Sequence, residues 1–262
     1  MKYLKSYIID KLSNGHYFFT KEEALRELSL NNRQFLQQAK RLSHIQKVHK
    51  IIEGFYMIIP DEYKNLGSLP PHWIIGPYMS YLKQDYYIGL LSAAWMYGVT
   101  HQQPMTLQVI TNKPKRLIKL PRGSIEFHVN KFIILSKKEE ISTPTGYALI
   151  STKEQTILDL VRFQKQAGYL NNVATIIKDL APQISIKLFS DVISLSQDKS
   201  ALQRLGYILE FLNYMHLADI VYKELSHRSY QMIPLKPDVL SRDGDRIKKW
   251  KLIINDPIEI EE

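Results

Sequence analysis

The sequence predicts an α+β protein with a small N-terminal domain followed by a larger mixed α/β domain. The first sixty residues contain three helical patterns and then two β-prone runs around a glycine turn. The remaining residues mix apolar β-prone runs with longer helical patterns. A stretch rich in turn-forming residues separates the two parts, which indicates two domains rather than one.

The first two helices are predicted from apolar spacing and from residues suited to helix ends. Apolar side chains recur at helical spacing over about residues 3–13, and Asn14-Gly15 ends that helix. Thr20 and Glu23 have the spacing of a capping box, in which each side chain accepts from the other's backbone amide. We therefore expect a two-turn helix after Thr20, with three side chains facing inward: Ala24, Leu25 and Leu28.

The third helix and the hairpin after it complete the small domain. Asn31 is predicted to cap this helix with Gln34 at the third position, and the helix runs to about Ser43. Two β-prone runs, 48–52 and 55–59, predict a hairpin around Glu53-Gly54. Three helices and a hairpin in this order are typical of a winged helix-turn-helix, here over residues 1–60. The apolar side of the third helix is predicted to consist of Phe35, Leu36, Ala39 and Leu42.

The larger domain is predicted over residues 73–262, after a linker at 61–72 that contains glycine and two prolines. Its first segment is expected to be a buried helix, and His101-Gln102-Gln103-Pro104 is expected to be the turn that ends it. The remaining expectations follow from apolar periodicity. Helices are predicted at 73–98, 152–166, 170–180, 185–196 and 199–215, with one more after these, and strands at 105–111, 124–129, 132–135 and 250–254.

The outer face of the third helix carries the strongest functional signal. Arg33, Gln37 and Arg41 lie opposite the apolar side, and residues 31–50 contain five Lys or Arg and no acid. Arginine can bond guanine edges and Asn or Gln can bond adenine edges, whereas lysines suit phosphates. A merely solvated amphipathic helix is the alternative, but the capped helix before it and the hairpin after it favour DNA. The predicted DNA-binding residues are Asn32, Arg33, Gln34, Gln37, Lys40, Arg41, Lys47 and Lys50.

A second basic segment lies in the larger domain, between strand-like runs. It has five cations and no acid: Lys113, Lys115, Arg116, Lys119 and Arg122. Two interpretations stay open, a second patch for nucleic acid or a partner, and an edge strand or rim loop kept soluble by its charge.

Composition limits the remaining classes. The net charge of +9 favours a polyanionic partner, and the absence of cysteine excludes disulfides and thiolate zinc sites. No apolar run is long enough for a membrane span, so a soluble, cytoplasmic protein is expected. No nucleotide-binding, hydrolase or metal-ligand motif occurs among the histidines or glycines, and a nuclease core near Asp238 lacks its second acid. We expect no catalytic residues, no metal and no cofactor.

The chain resembles the AbiEi family of antitoxins from bacterial abortive-infection, type IV toxin–antitoxin systems. The resemblance involves the N-terminal winged helix and three further stretches: Leu91-Ser92-Ala93-Ala94-Trp95-Met96-Tyr97-Gly98, Ala148–Leu160 and Leu205–Glu210. From the residues alone, these apolar stretches are core, with Ser151 or Thr152 as a helix cap, so they identify the fold rather than an active surface.

The resemblance implies a repressor that binds inverted repeats in its own promoter. It also implies that the C-terminal domain counteracts a nucleotidyltransferase-like toxin, whether or not the two proteins touch. A monomer in solution, or a weak dimer on DNA, would suit such an operator. The alternatives are a winged-helix transcription factor that senses a small ligand without a toxin partner, a nuclease or phosphotransferase, and a protein-interaction module that meets an acidic partner.

Overall fold

The computed structural model describes residues 3–100 and 104–260 and has the α+β architecture that the sequence predicts. Its described residues form two compact units, each made of several chain segments. The first comprises Met1–Tyr86, Met105–Val129 and Glu140–Leu149, and the second comprises Tyr87–Pro104, Asn130–Glu139 and Ile150–Glu262, as far as these are described. The expected turn at His101-Gln102-Gln103 lies outside the described residues. No helix within the described ranges is long and apolar enough to cross a membrane.

The winged helix-turn-helix lies at the start of the first unit. Its elements are α1 (Leu4–Ser13), β1 (Phe18–Thr20), α2 (Lys21–Leu28), α3 (Asn32–His44), β2 (Val48–Ile52) and β3 (Phe55–Ile58). The three strands form one sheet in the order β1-β3-β2, with both pairings antiparallel. The element order expected from the sequence is therefore confirmed.

Both predicted capping boxes are present. The Thr20 hydroxyl accepts from the Glu23 amide at 3.1 Å, and the Glu23 carboxylate accepts from the Thr20 amide at 2.7 Å. Asn31 and Gln34 exchange the equivalent pair of bonds at 2.9 and 3.0 Å. Because these bonds satisfy backbone amides that a helix start leaves free, they determine where α2 and α3 begin.

The core of the winged helix is aromatic. Tyr56 stacks on Phe19 with ring centroids 5.3 Å apart and meets Phe35 edge-on at the same distance. Tyr7 meets Phe19 edge-on at 5.7 Å. These rings join α1, α3 and the sheet, so they set the position of α3 in the first unit.

The segment expected to be a linker is ordered. Asp61–Leu66 form a 3-10 helix, Gly67 adopts a left-handed conformation with φ 68°, and Ser68 and Leu69 are fully buried. Gly67, one of the residues that predicted a linker, instead forms a tight turn at the end of this 3-10 helix. The division into domains at 1–60 and 73–262 stays a prediction.

The expected helix at 73–98 is wrong in its middle. Helix α4 (Pro71–Leu82) ends where Lys83 takes a left-handed conformation, strand β4 (Tyr86–Ile88) follows, and α5 (Leu90–Met96) begins after Gly89. A short run that is apolar throughout has no periodicity, so a buried strand and a buried helix look alike in sequence.

A six-stranded sheet contains β4 and five later strands, in the order β6-β7-β5-β4-β9-β8. Two of its strands, β5 (Thr106–Thr111) and β7 (Ser124–Val129), were predicted and pair in parallel. The strand expected at 132–135 is wrong, because Ile133–Leu135 form a 3-10 helix. Besides β4, three strands of this sheet were not predicted: β6 (Ile118–Lys119), β8 (Lys138–Thr143) and β9 (Gly146–Ser151).

The second unit is mainly helical, and its helices follow the sequence prediction closely. Helix α6 begins after Thr152, whose hydroxyl accepts from the Gln155 amide, as expected for one of the two candidate caps. A small sheet in the order β10-β12-β11 follows the helices. The bounds are α6 (Lys153–Arg162), α7 (Tyr169–Leu180), α8 (Ile186–Leu195), α9 (Lys199–Phe211), α10 (Met215–Ser226), β10 (Ile233–Pro234), β11 (Asp245–Ile247) and β12 (Leu252–Ile254).

Gly206 is required by close packing in α9. A Cβ at this position would lie 2.1 Å from Cζ3 of the buried Trp250. We expect Gly206→Ala to lower the free energy of unfolding by about 1–3 kcal/mol, because overpacking outweighs the better helix propensity of alanine. Chemical denaturation measures this loss. In a Trp250→Leu background the same replacement should cost much less, and an equal cost in both backgrounds would show that the ring is not responsible.

Candidate nucleic-acid interface

The predicted base-reading side chains lie on the exposed face of α3. Arg33, Gln37 and Arg41 are all exposed, and Lys40 lies beside them, also exposed. No carboxylate in the part of the chain that the structure describes forms an ion pair with Arg33, Lys40 or Arg41. Their charges are therefore available to an anionic ligand.

The opposite face anchors the helix. Phe35, Ala39 and Leu42 are buried in the core of the winged helix. On one side of the helix the side-chain Oε1 of Gln38 also accepts from the Leu4 backbone amide of α1 at 2.8 Å. A helix held on its inner side in this way presents its outer side chains from a rigid support.

Three exposed residues of α3 were missed or misplaced by the sequence analysis. Leu36 was expected in the core but is 48% exposed, because it lies about 100° around the helix from Phe35. Ser43 and His44 are also exposed. One turn beyond Lys40, His44 lies on the same face as Arg33 and Gln37, and helical spacing was the signal that could have identified it.

The predicted contact residues at the start of α3 differ in availability. Asn32 is exposed, whereas Gln34 is half-buried. The side-chain Oε1 of Gln34 accepts from the Asn31 backbone amide in the capping box. The cap holds the Gln34 side chain against the backbone. Gln34 is thus a positioning residue for the helix start, and only its amide nitrogen remains for a ligand.

The two lysines of the hairpin region are paired with acids. Lys47 bonds the carboxylate of Asp61, and Lys50 lies 3.3 Å from the carboxylate of Glu53. The hydrogen bond from Lys47, followed by its charge, lowers the pKa of the Asp61 carboxyl, so Asp61 is ionised at neutral pH. A phosphate that binds Lys47 must therefore compete with an ionised carboxylate.

The hairpin, called the wing below (residues 48–58), is braced at its turn. Gly54 has a φ of 84°, and a Cβ there would lie 2.8 Å from the Tyr81 hydroxyl. The Phe55 ring stacks on Tyr81 with centroids 4.8 Å apart. Glycine thus allows both the tight turn and the close approach of α4.

The second basic segment belongs to the same compact unit as the winged helix. Four of its five cations are exposed, while Lys115 is half-buried and its pKa is lowered by burial and by Lys113. Within this segment β6 is an edge strand of the six-stranded sheet. Pro121 and the end of α3 line one cavity of about 340 Å³, which places the end of this segment near the winged helix.

One cleft of the first unit has a volume of about 660 Å³. Its lining is mixed, with Lys83 and Lys113, Asp85 and Glu140, and apolar groups such as Leu149. A domain that senses a small ligand is expected to have a closed apolar pocket with a few polar groups. This cleft is open and lined by charged residues, so it does not have that character. Within the described residues no three His, Asp or Glu side chains are grouped so as to hold a metal ion.

The second unit contains a buried polar network. The fully buried Asp159 carboxylate accepts from the Tyr87 hydroxyl at 2.7 Å, from Gln155 at 3.0 Å and from Arg162 at 3.1 Å. Burial raises the pKa of Asp159, and the charge of Arg162 opposes that rise. Asp198 pairs with Arg162 at 3.4 Å. This network ties α6 to β4 and stabilises the fold.

The fold and the α3 surface define a winged helix-turn-helix protein with a larger α+β part. Residues 87–211 match the family model described as the AbiEi antitoxin C-terminal domain. The resemblance seen in the sequence is confirmed, and the match supports a role in a toxin–antitoxin system. Tyr87, Asp159 and Arg162 all lie within the matched segment.

Two solved structures were compared with the chain. The RV2827C protein from Mycobacterium tuberculosis has a TM-score of 0.66 and 14% identity, covering 94% of this chain and 89% of that chain. This likeness is one of fold. An antigenic nucleotidyltransferase-like protein from Paracoccidioides brasiliensis has a TM-score of 0.36 and 12% identity, covering 57% of this chain and 89% of that chain, and nothing is inferred from it. No curated protein matches the chain.

Proposed function

We propose that this protein is a sequence-specific DNA-binding repressor of its own operon and an antitoxin that counteracts a nucleotidyltransferase-like toxin. One observation carries the DNA-binding part of the proposal. The outer face of α3 presents exposed guanidinium and amide groups, is free of acids, and is anchored from behind by a packed core. Such a helix suits the major groove of double-stranded DNA.

The residues have distinct roles in this proposal. Arg33, Gln37 and Arg41 contact base edges, and Asn32 and Gln34 assist at the start of the helix. Lys40 contacts a phosphate directly. Lys47 and Lys50 contact phosphates after leaving Asp61 and Glu53.

The second basic segment extends this surface. Its exposed cations, Lys113, Arg116, Lys119 and Arg122, belong to the same unit as α3 and would add phosphate contacts without reading sequence. Lys115 is half-buried and would contribute least.

The antitoxin part rests on the family match at residues 87–211. In this proposal the protein acts in the cytoplasm without catalysis of its own. It binds inverted repeats as a monomer on each half-site or as a weak dimer.

A promoter-binding assay tests the DNA-binding part. The full chain should shift a fragment from upstream of its own gene at concentrations that leave a scrambled fragment free. The three lysine–phosphate contacts of the winged helix predict a log–log salt slope of about −2.7, since each contact contributes about −0.9, and contacts from the second basic segment make the slope steeper. Equal affinity for both fragments, or an affinity that does not change with salt, would reject the proposal.

Removing the acid that pairs with Lys47 should tighten DNA binding. We expect Asp61→Asn to raise affinity a few-fold, because the ionised Asp61 carboxylate competes with phosphate for Lys47. The gain should be similar on operator and scrambled DNA, since phosphates carry no sequence information. Asp219→Asn makes the same charge change at an exposed position of α10 and is the control. An equal gain in DNA affinity in the control would show that the effect comes from net charge alone.

A further inference from the structure

The exposed Leu36 is an exception on the polar face of α3. Its neighbours along that face, one turn away in either direction, are the cations Arg33 and Lys40. It is 48% exposed, whereas Phe35, next to it in the chain, is fully buried. Because Leu36 lies between two cations on this outer face, a polyanionic ligand that binds those cations brings its own groups against the leucine.

The surroundings of Leu36 hold it in place. It lines a groove of about 330 Å³ between α3 and the wing strand β2. Ala39, Val48 and Tyr56 line the same groove, and Lys40, His44 and Lys50 contribute its polar lining. The leucine thus has apolar support on its inner side and cations around its outer side.

The ligand of such a surface must be polyanionic and must carry a small apolar group. Base edges in the major groove of DNA are polar except for the C5-methyl group of thymine. Lys40 and Lys50 complement the phosphates beside such a base. A protein partner is the other occupant considered, and it would need acidic groups around an apolar one.

We propose that Leu36 determines part of the DNA specificity by contacting a thymine methyl group in the major groove. The inference rests on the proposed function and adds a base identity to it. Each half-site then contains one thymine whose methyl group, rather than its hydrogen-bonding atoms, is recognised. Arg33 and Arg41 recognise other positions.

Deoxyuridine substitution tests this directly, because it removes the methyl group and keeps base pairing. The probe is the duplex that the full chain selects from a random library, with each thymine replaced in turn. We expect one position in each half-site to lose roughly 5- to 20-fold in affinity, within the range for a single base contact. The Leu36→Ala variant should bind the thymine duplex as weakly as the parent binds the deoxyuridine duplex, with no further loss on substitution.

Two further variants distinguish a methyl contact from a change in folding. Leu36→Met keeps an apolar side chain and should keep the sensitivity to deoxyuridine. Ile9→Ala removes an equally exposed apolar side chain from α1 and should behave as the parent.

The outcomes separate this inference from the proposed function. If a duplex is selected but no thymine position is sensitive, or if Leu36→Ala keeps the parent's sensitivity, the thymine contact is wrong and DNA binding stands. If the chain selects no sequence at all, both fail. Loss of binding to a purified protein partner on Leu36→Ala, with DNA affinity unchanged, would also overturn the inference.

Discussion

Replacing both Arg33 and Arg41 by alanine is expected to remove most of the sequence preference in DNA binding and to leave the fold intact. Both side chains are exposed on α3, so neither contributes to the core. Each bidentate arginine–guanine contact contributes about 1–3 kcal/mol of discrimination, so the pair should cost roughly 2–6 kcal/mol if the effects add. A titration of operator and scrambled DNA measures this, and the preference for the operator should fall by about that amount.

The matched control is the pair Arg242→Ala and Arg246→Ala. It removes the same two charges from exposed positions of the second unit. The control should lose at most a few-fold in affinity, on both fragments alike, because long-range charge effects are screened by salt. If both double variants lose affinity equally, the positive net charge rather than the α3 face accounts for binding. An unchanged preference for the operator in the α3 variant would exclude Arg33 and Arg41 as base-reading residues.

Removing Arg162 is expected to cause the largest loss of stability. Asp159 is fully buried, and Arg162 is the cation that bonds its carboxylate. Deleting one member of a buried pair leaves an uncompensated charge and typically costs about 3–5 kcal/mol. Arg162→Ala should therefore lower the midpoint of chemical denaturation sharply. Helix α3 lies in the first unit, whereas this pair lies in the second. At denaturant concentrations below its midpoint, the variant should therefore still bind operator DNA in preference to scrambled DNA.

The loss should depend on pH in a defined direction. Burial raises the pKa of Asp159 and Arg162 opposes this, so the variant raises that pKa further. A carboxyl whose pKa is higher in the folded state destabilises the fold as pH rises above its unfolded value of about 3.9. Arg162→Ala should thus be less destabilised in acid than at neutral pH. Asp159→Asn in the same background should remove the trend.

A second arginine provides the comparison. Arg228 lies 2.6 Å from Glu224, whose side chain is 30% exposed. Because water can solvate that carboxylate, Arg228→Ala should cost less and show a weaker pH trend. Equal pH trends in the two variants would contradict the role assigned to Asp159.

The sequence by itself determined the winged helix and the resemblance of the later residues to the AbiEi antitoxins. Helix starts depend on bonds between residues three apart, such as Thr20 with Glu23 and Asn31 with Gln34, so local spacing was sufficient to locate them. Helical periodicity alone placed Arg33, Gln37 and Arg41 opposite the buried side. The long amphipathic helices of the second unit followed from the same periodicity.

Only the tertiary structure decided the features that depend on distant partners. Residues 86–88 form a strand because a sheet pairs with them, and a run that is apolar throughout carries no period to reveal that. Lys47 pairs with Asp61, and Asp159 is buried with Tyr87, which lies 72 positions earlier. Leu36 is exposed because the core accepts only the side chains within a limited arc of α3. Spacing along a chain predicts which residues share a helix face, whereas burial depends on what the folded chain places against that face.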